Sequence, residues 1–362
     1  MKREIGSFFW EYQLNNSNKN IDIFNKLGTD KLLLSSGRDS LKLFIKEVGV
    51  NKKIILPGFT CESVVKPFID KGYEIYFYNI NSNLEIDNTL FFKKIKEIKP
   101  DVILVHSYFG FNTLKNIKDS LLKLKKESEV IILEDITHCM YSNFNFINSD
   151  YTVASLRKWF AVPEGGLIAK REGELNKNFI SKESSVIYDE LIDVYKIKES
   201  YMENGKIELK NDFLSRFNKC ELSFNEDKEV RYMYSKAIDI YNNTDIKKLS
   251  KKRIKNYLYL LENLKEIEGI EILFENLGQD IVPLYFPIYI KENKREKFRK
   301  KMAENNIYCP IIWPISDYVK DKIDEETLKI YDEILCIPCD QRYDREEIEK
   351  ILKTIKSIMK NL

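Results

Sequence analysis

The chain has 362 residues, of which 43% are hydrophobic and 12% aromatic, so it can bury a substantial core and is not disordered. A chain of this length has more residues than a domain with one hydrophobic core usually has, so we expect two lobes. The 59 basic and 57 acidic residues leave a net charge of +2, which gives no electrostatic reason to expect nucleic acid or an anionic membrane as partner.

The N-terminal residues and the cysteines indicate a cytoplasmic protein. The sequence begins MKREIGSFFWEYQL, without the uninterrupted apolar stretch of a secretory signal, and no apolar run reaches membrane-spanning length. Six cysteines are scattered along the chain, so we expect free thiols. Cys336 and Cys339 form a C-x-x-C pair, but the chain has no second pair and only two histidines. We therefore interpret both as small buried residues and expect no metal site.

Residues 31–170 predict a parallel α/β sheet. Several strand candidates are apolar on both faces, as in a parallel sheet that is covered by helices. The strand candidates are residues 53–58, 73–80, 101–110, 129–135 and 150–156. Helical patterns lie between them, including one after SSGRD and one over residues 112–128. Since ligands of such sheets lie at the carboxyl ends of the strands, functional residues are expected just after each apolar run.

Residues beyond 172 predict long amphipathic helices followed by a smaller unit. The charged segment up to residue 265 contains helical patterns over residues 186–202 and 247–267. The remaining chain alternates between strand and helix, with strands or extended segments at 280–290, 307–316 and 333–343 and helices at 294–306 and 345–360. We expect a large domain over residues 1–245, including the N-terminal segment, and a small α+β domain over residues 246–362.

A turn at the start of the chain's first α/β unit is a candidate phosphate site. In LLLSSGRDSLKLF, Ser36 and Gly37 follow a strand and open a helix, whose free N–H groups and dipole attract an anion. Arg38 adds a positive charge. The same residues also fit an ordinary serine N-cap, so this turn alone leaves both interpretations open.

A strand that ends at Asp135 carries a second candidate group. A carboxylate at the end of a buried strand is unfavourable unless it meets a cation or several donors, so we expect a cationic partner. His138 follows three residues later, and His106 ends an earlier strand. The two histidines either reach the same site or are core residues whose polar atoms bind the backbone.

Lys158, in SLRKWFAVPEGG, directly follows an apolar strand, where we expect its side chain to be buried. Ser155 and Lys158 have the S-x-x-K spacing of serine β-lactamases, but the partner motifs S-D-N and K-T-G are absent. A buried lysine is stable when it is neutral or bound covalently, as in a Schiff base. A phosphate turn, a strand-end aspartate and a lysine are together what pyridoxal phosphate requires. Trp159 and Phe160 are either packing or a wall for the substrate.

The order of these motifs resembles the DegT/DnrJ/EryC1/StrS family of fold-type I PLP-dependent sugar aminotransferases. The resemblance rests on SSGRDSL, LPGFTCESV, NINSNLEID, HSYFG, LEDITHCMYS, SLRKWFAVPEGG, PLYFPIYI and IPCDQRY. It implies a large domain with a mostly parallel sheet flanked by helices, a small C-terminal α+β domain, and pyridoxal 5'-phosphate as cofactor. Two features depart from the family: Cys61 stands where an aromatic residue commonly stacks on the cofactor ring, and no Gly-Tyr-Asn loop is recognisable between residues 172 and 245.

The resemblance implies a role for each candidate residue. Lys158 corresponds to the lysine that binds the cofactor covalently and transfers protons, Asp135 to the partner of the pyridine nitrogen, and His138 to the contact of the phenolic oxygen. Gly37, Arg38 and Ser155 correspond to phosphate-binding positions. The remaining candidates are Ser36, Phe59 and Cys61 for the cofactor and His106, Trp313, Arg342 and Tyr343 for the substrate. For the last three, a core aromatic residue or a surface ion pair is an equal alternative.

We therefore expect an aminotransferase that converts a keto or aldehyde group of a sugar, nucleotide-sugar or small phosphorylated intermediate into an amine, with glutamate as donor. Two alternatives are a PLP-dependent dehydratase or other lyase of the same fold and a non-catalytic PLP-binding regulator. Lys158 favours transamination, because some relatives replace this lysine by histidine for dehydration. The resemblance also implies a cytoplasmic homodimer.

Overall fold

The computed structural model describes residues 3–11, 23–143 and 146–360, and they form an α/β fold. The strands are β1 (Ile5–Gly6), β2 (Asp30–Leu34), β3 (Lys53–Pro57), β4 (Glu74–Tyr78), β5 (Val102–His106), β6 (Ile131–Asp135), β7 (Tyr151–Ser155), β8 (Gly166–Lys170), β9 (Ile270–Ile272), β10 (Phe286–Ile290), β11 (Ile307–Tyr308) and β12 (Ile334–Ile337). The helices are α1 (Gly37–Val48), α2 (Glu62–Ile69), α3 (Asn88–Ile98), α4 (Lys118–Glu127), α5 (Val186–Asn204), α6 (Ile207–Glu226), α7 (Ser235–Asn242), α8 (Ile246–Leu264), α9 (Arg295–Glu304), α10 (Glu325–Glu333) and α11 (Arg345–Met359).

The central sheet has the strand order β2-β8-β7-β6-β5-β3-β4 within the described residues. Strands β7, β6, β5, β3 and β4 are parallel, whereas β8 runs antiparallel to β2 and β7. All five residues of β5 are buried, as expected for a central strand that is covered on both faces. The predicted α/β class with a mostly parallel sheet is confirmed.

Two local predictions differ from the structure. The helix expected over residues 112–128 begins only at Lys118, because the preceding residues form turns that bury Leu114 and Ile117. Helix α10 was not predicted; it follows Asp324, whose side chain accepts a hydrogen bond from the Thr327 N–H. Such a capping residue is a sequence signal for a helix start.

The C-terminal part of the chain forms a second, antiparallel sheet in the order β12-β10-β9. Strand β1, from the N-terminal segment, pairs in parallel with β11 from this region. The N-terminal residues thus contact the C-terminal part of the molecule. The domain boundary between residues 245 and 246 stays a prediction.

Helices α5 and α6 form a hairpin that packs against the N-terminal segment. Gly205 ends α5 in the left-handed conformation, which allows the chain to reverse. Phe9 and Trp10 share one hydrophobic cluster with the buried faces of both helices. The ring of Phe8 stacks on that of Phe217, with 3.9 Å between the centroids. Residues 3–10 are therefore held in place by packing.

Arg342 and Tyr343 hold the same segment by polar contacts. Tyr343 is fully buried, so its expected role as a substrate contact is wrong, whereas the substrate role of Arg342 stays a prediction. The Arg342 guanidinium donates two 2.8 Å hydrogen bonds to Asp340 and further bonds to the carbonyl oxygens of Gly6, Ser7 and Phe8. The Tyr343 hydroxyl accepts a 2.6 Å hydrogen bond from the Gly6 N–H. The pair between Arg342 and Asp340 is buried, so the alternative of a surface ion pair is also wrong.

Removing Arg342 is expected to destabilise the protein strongly. Burial alone would raise the pKa of Asp340, but Arg342 holds it below its usual value, so Asp340 is charged at neutral pH. Arg342→Ala leaves that carboxylate buried without its partner, and we expect a loss of about 3–5 kcal/mol in the free energy of unfolding at pH 7. Urea denaturation measures the loss, which should shrink in acid, where Asp340 in the variant becomes protonated.

Arg299→Ala is the control, because the Arg299 side chain is exposed and its ion pair with Glu296 lies at the surface. We expect this variant to lose less than about 1 kcal/mol. Equal losses in the two variants would show that Arg342 does not anchor the N-terminal segment.

Gly166, at the start of β8, allows the turn before α1 to approach the sheet. A Cβ atom at this position would lie 2.1 Å from the Ser36 carbonyl oxygen and 2.7 Å from the Gly37 nitrogen. Both contacts are with backbone atoms, which cannot rotate away. The close approach brings the residues of the predicted phosphate turn beside β8 and β7.

Gly166→Ala is expected to lower the free energy of unfolding by about 1–3 kcal/mol, because the added methyl group displaces the Ser36–Gly37 backbone. Gly278→Ala is the matched control, since its Cβ would meet only the Ile281 Cγ1 atom, at 3.6 Å. Thermal unfolding of both variants tests this prediction, and a fully stable Gly166→Ala protein would contradict it.

Candidate active site

The candidate site is a cavity of about 450 Å³ at the carboxyl ends of the parallel strands. This volume lies within the range of small-molecule sites in proteins. The structure brings together there most of the residues predicted from the sequence, namely Ser36, Gly37, Arg38, Cys61, His106, Asp135, His138, Ser155, Lys158, Trp313 and Arg342.

Thr137 fixes the relative positions of the ends of β6 and β7. Its N–H donates a 2.8 Å hydrogen bond to Asp135 Oδ1, and its hydroxyl oxygen accepts a 3.0 Å bond from the Ser155 N–H. Its carbonyl oxygen accepts a 2.7 Å bond from Trp159 Nε1. One residue thus connects the strand-end aspartate to both sides of Lys158. The sequence analysis missed Thr137, although an Asp-x-Thr turn after a strand is a local signal.

Lys158 lies at the end of a short 3-10 turn (Leu156–Lys158), and its side chain is exposed. The expectation of a buried lysine is therefore wrong. The apolar neighbours point elsewhere: Trp159 is fully buried, and its carbonyl oxygen accepts hydrogen bonds from Arg253 and Gln341. Trp159 is thus packing that anchors the turn, whereas Phe160 lines the cavity.

The carboxyl group of Asp135 lies at the cavity wall, and its pKa is raised. Burial raises the pKa of its carboxyl group, while the hydrogen bonds from Thr137 and the charge of Lys158 oppose this rise. Strand register pairs Asp135 with His106 on β5 and with Val153 on β7. We expected a cationic partner for Asp135; among the described residues Lys158 acts on it through its charge, without a direct ion pair.

The imidazole of His138 packs against two aromatic rings. Its ring lies 5.2 Å from that of Phe109 and 5.0 Å from that of Trp313, measured between centroids. Burial, with the charges of His106 and Lys158, places the pKa of His138 well below its usual value. The Nδ1 atom accepts a hydrogen bond from the Phe109 N–H at 3.5 Å, so the neutral ring carries its proton on Nε2. The Nε2–H group of His138 can then act as a hydrogen-bond donor to a ligand.

His106 and Trp313 form an aromatic corner of the cavity, with 5.8 Å between their centroids. Burial lowers the pKa of His106 to about 3, so this ring is also neutral. Phe59, predicted as a cofactor contact, is fully buried against Tyr108, Trp313 and Tyr331, and is not among the described residues that line the cavity. Tyr343 is likewise buried away from the cavity lining in the described part of the chain.

The predicted phosphate turn is the N-terminus of α1. Ser36 is its N-cap, and its hydroxyl accepts a 3.1 Å hydrogen bond from the Asp39 N–H, as in the ordinary interpretation. The N–H groups of Gly37 and Arg38 lie in the first turn, where no intrahelical acceptor exists. A Cβ atom on Gly37 would lie 3.0 Å from Ser155 Cβ. The turn and the end of β7 therefore face the cavity in contact with each other.

The cavity is also lined by two segments that the sequence analysis did not assign to the site. The N-terminal segment contributes residues 6–9, and the hairpin of α5 and α6 contributes Tyr195, Phe217 and Glu221. Arg157, next to Lys158, also lines the cavity and forms an ion pair with Glu221. These contacts join segments that are far apart in the chain, and we find no local sequence signal for them.

Other types of site find little support in the structure. Among residues 3–11, 23–143 and 146–360, no three His, Cys, Asp or Glu side chains are grouped as a metal site would require. Cys336 and Cys339 are both buried and unoxidised. The helices in this described part are too short or too polar to cross a membrane.

Several solved structures have the same fold. DesV from S. venezuelae, solved with a ketimine intermediate, has 14% identity and a TM-score of 0.67 over 99% of this chain and 92% of that chain. The sugar aminotransferase CalS13 from Micromonospora echinospora has 13% identity and a TM-score of 0.65 over 96% and 99%. NtdA from Bacillus subtilis, solved with bound cofactor PMP, has 17% identity and a TM-score of 0.62 over 92% and 74%. At these identities the likeness establishes the fold alone.

Sequence comparison gives the family. A direct comparison with curated proteins yields no match. The family model of the DegT/DnrJ/EryC1/StrS aminotransferases, in contrast, matches residues 27–187 and 237–356, which include Asp135 and Lys158. The resemblance inferred from the sequence motifs is thereby confirmed. The chain belongs to the DegT/DnrJ/EryC1/StrS aminotransferase family.

Proposed function

We propose that this protein is a PLP-dependent sugar aminotransferase. It converts a keto or aldehyde group of a sugar, nucleotide-sugar or small phosphorylated intermediate into an amine, and glutamate is the donor. The observation that carries the proposal is that Lys158, Asp135 and the N-terminus of α1 line one cavity. The names of two structural neighbours agree with it, since CalS13 is called a sugar aminotransferase and NtdA was solved with PMP.

The residues of the cavity suit pyridoxal 5'-phosphate. Gly37 and Ser155 approach each other so closely that a Cβ on Gly37 would lie 3.0 Å from Ser155 Cβ, and we call this pair the cradle; the N–H groups of the α1 N-terminus would face an anion bound there. Asp135 supplies the acceptor that a pyridine N–H needs, and Lys158 supplies an amine that is accessible to the cavity. The required anion site, acceptor and amine thus lie in one cavity.

The bound cofactor supplies an electron sink, which stabilises negative charge at the carbon that loses its proton. Lys158 Nζ accepts that proton and returns it during the exchange of amine for carbonyl. Asp135 keeps the pyridine nitrogen protonated, and this requires its charged form. Thr137 favours that form through its hydrogen bond, against the effect of burial.

The surrounding residues orient the cofactor and restrict access by water. His138 Nε2–H would donate to the phenolic oxygen of the bound cofactor, since Nδ1 already accepts the Phe109 N–H. Phe8 and Phe217, stacked on each other, give the cavity an apolar wall. Lys158 favours transamination over the lyase alternative, because some relatives of the family replace this lysine by histidine for dehydration.

The protein acts as a homodimer in the cytoplasm, on an amino donor and a carbonyl acceptor. Size-exclusion chromatography with light scattering tests the dimer, and a monomeric mass would refute it. The near-zero net charge agrees with small-molecule substrates rather than with a nucleic-acid partner.

Lys158→Ala is expected to slow the first half of the reaction by a factor of about 10²–10⁴, because the proton at the donor carbon loses its acceptor. The measurement follows the visible absorption of the PLP-loaded protein after L-glutamate is added without an acceptor. Lys66→Ala is the control, since Lys66 lies at the surface in an ion pair with Asp70. A wild-type protein that stays colourless with added PLP would refute the cofactor assignment.

A further inference from the structure

Arg38 lines the cavity with a guanidinium group that lacks an acceptor. Among the described residues it makes no hydrogen bond or ion pair, and its Nε atom is buried without a partner. The Arg38 side chain is half-buried, and burial lowers its pKa. A cation in such surroundings is unfavourable unless an anion joins it. Arg38 therefore indicates an anion that binds beside the first turn of α1.

A second guanidinium, that of Arg157, lies in the same part of the cavity and is held by α6. It forms an ion pair with Glu221, and its Cζ atom lies 4.8 Å from the centre of the Phe224 ring. Its Nε atom is also buried without a hydrogen-bond partner in the described chain. Glu221 acts electrostatically on Arg157, Lys158 and Arg38, and its pKa is lowered by them against the effect of burial. One carboxylate thus lies among three cations.

Helix α6 belongs to the part of the chain that the family model does not match. The two matched ranges end at residue 187 and resume at residue 237, so Glu221 and Phe224 lie between them. The residues that hold Arg157 therefore lie outside the ranges that the family model matches.

We propose that Arg157 joins Arg38, for which the family resemblance already implies a phosphate role, in binding the phosphate group of the cofactor, and that Glu221 and Phe224 are positioning residues that hold Arg157 there. This inference rests on the proposed function. The hairpin of α5 and α6 is then part of the cofactor site, and it acts within the same chain.

Sequence position and charge both support a phosphate as the ligand. Arg38 follows Gly37 directly, and Arg157 lies two residues after Ser155, while Gly37 and Ser155 are in contact across the cradle. The two guanidinium groups exceed the single carboxylate of Glu221 by one positive charge. Guanidinium groups bind phosphate through paired, charge-assisted hydrogen bonds, which would use donors that lack a partner here.

The test compares two probes, PLP and pyridoxal, which differ only in the phosphate group. We expect Arg157→Met to weaken PLP binding by roughly 10- to 100-fold, as for the loss of one charge-assisted hydrogen bond, and to leave pyridoxal binding within about threefold. Arg38→Met is expected to give the same pattern. Absorbance titration of the apoprotein measures both affinities. Retained pyridoxal binding shows that the variant is folded and that Lys158 is still reactive.

Arg216→Met is the matched control, because Arg216 also lies on α6 but pairs with Glu190 towards the surface. It should leave the ratio of PLP to pyridoxal affinity unchanged. Glu221→Leu should lower this ratio in the wild-type background, since two neighbouring arginines repel each other without the carboxylate. The same change should have no further effect in the Arg157→Met background, as expected for a residue that acts through Arg157.

An unchanged ratio in Arg157→Met and Arg38→Met would overturn this inference. If the KM for L-glutamate rises in those variants instead, the arginines bind the carboxylate of the donor and not the cofactor phosphate. Both outcomes leave the proposed function intact, because wild-type protein would still bind PLP at Lys158. If wild-type protein binds neither PLP nor pyridoxal, the proposed function itself is refuted.

Discussion

The hydrogen bonds of Thr137 are the constraint on which the geometry of the site depends. Parallel strands deliver Asp135 and Ser155 to one edge of the sheet, but adjacent strand ends alone do not fix the side chains that follow them. Thr137 bonds to Asp135, to the Ser155 backbone and to the Trp159 ring, so the aspartate and the lysine turn share one rigid support. This arrangement fixes the backbone on either side of Lys158 relative to Asp135, the two residues proposed to bind the cofactor.

A second constraint builds the opposite side of the cavity from distant parts of the chain. The buried pair of Arg342 and Asp340 binds the carbonyl groups of the N-terminal segment, and the α5–α6 hairpin packs over it. A buried ion pair is stable only when its remaining donors also have acceptors. The carbonyl groups of residues 6–8 accept the remaining hydrogen bonds of Arg342, and these bonds in turn hold the N-terminal segment. The wall of the cavity and the stability of the fold are thereby linked.

The strands and the residues that end them could be predicted from the sequence, because apolar runs and the residues that follow them are local patterns. Asp135, Ser155 and Lys158 were placed in this way, and the cavity contains all three. The exposure of Lys158 was not predictable, since the turn that carries it is anchored by a hydrogen bond from Trp159 Nε1 to the distant Thr137 carbonyl oxygen. Nor was the role of Tyr343, whose contact Gly6 is 337 positions away in the sequence. Phe59 was misplaced because proximity to a strand end does not specify which face a side chain takes.

The central claim is that Lys158 is the amine that binds the cofactor, opposite Asp135. The most direct measurement is borohydride reduction of the PLP-loaded protein, followed by proteolysis and mass spectrometry of the labelled peptide. The chain contains many exposed lysines that could react nonspecifically, so the site of labelling is informative. We predict one stoichiometric label, on Lys158. A label on another lysine, or one spread over several, would contradict the account.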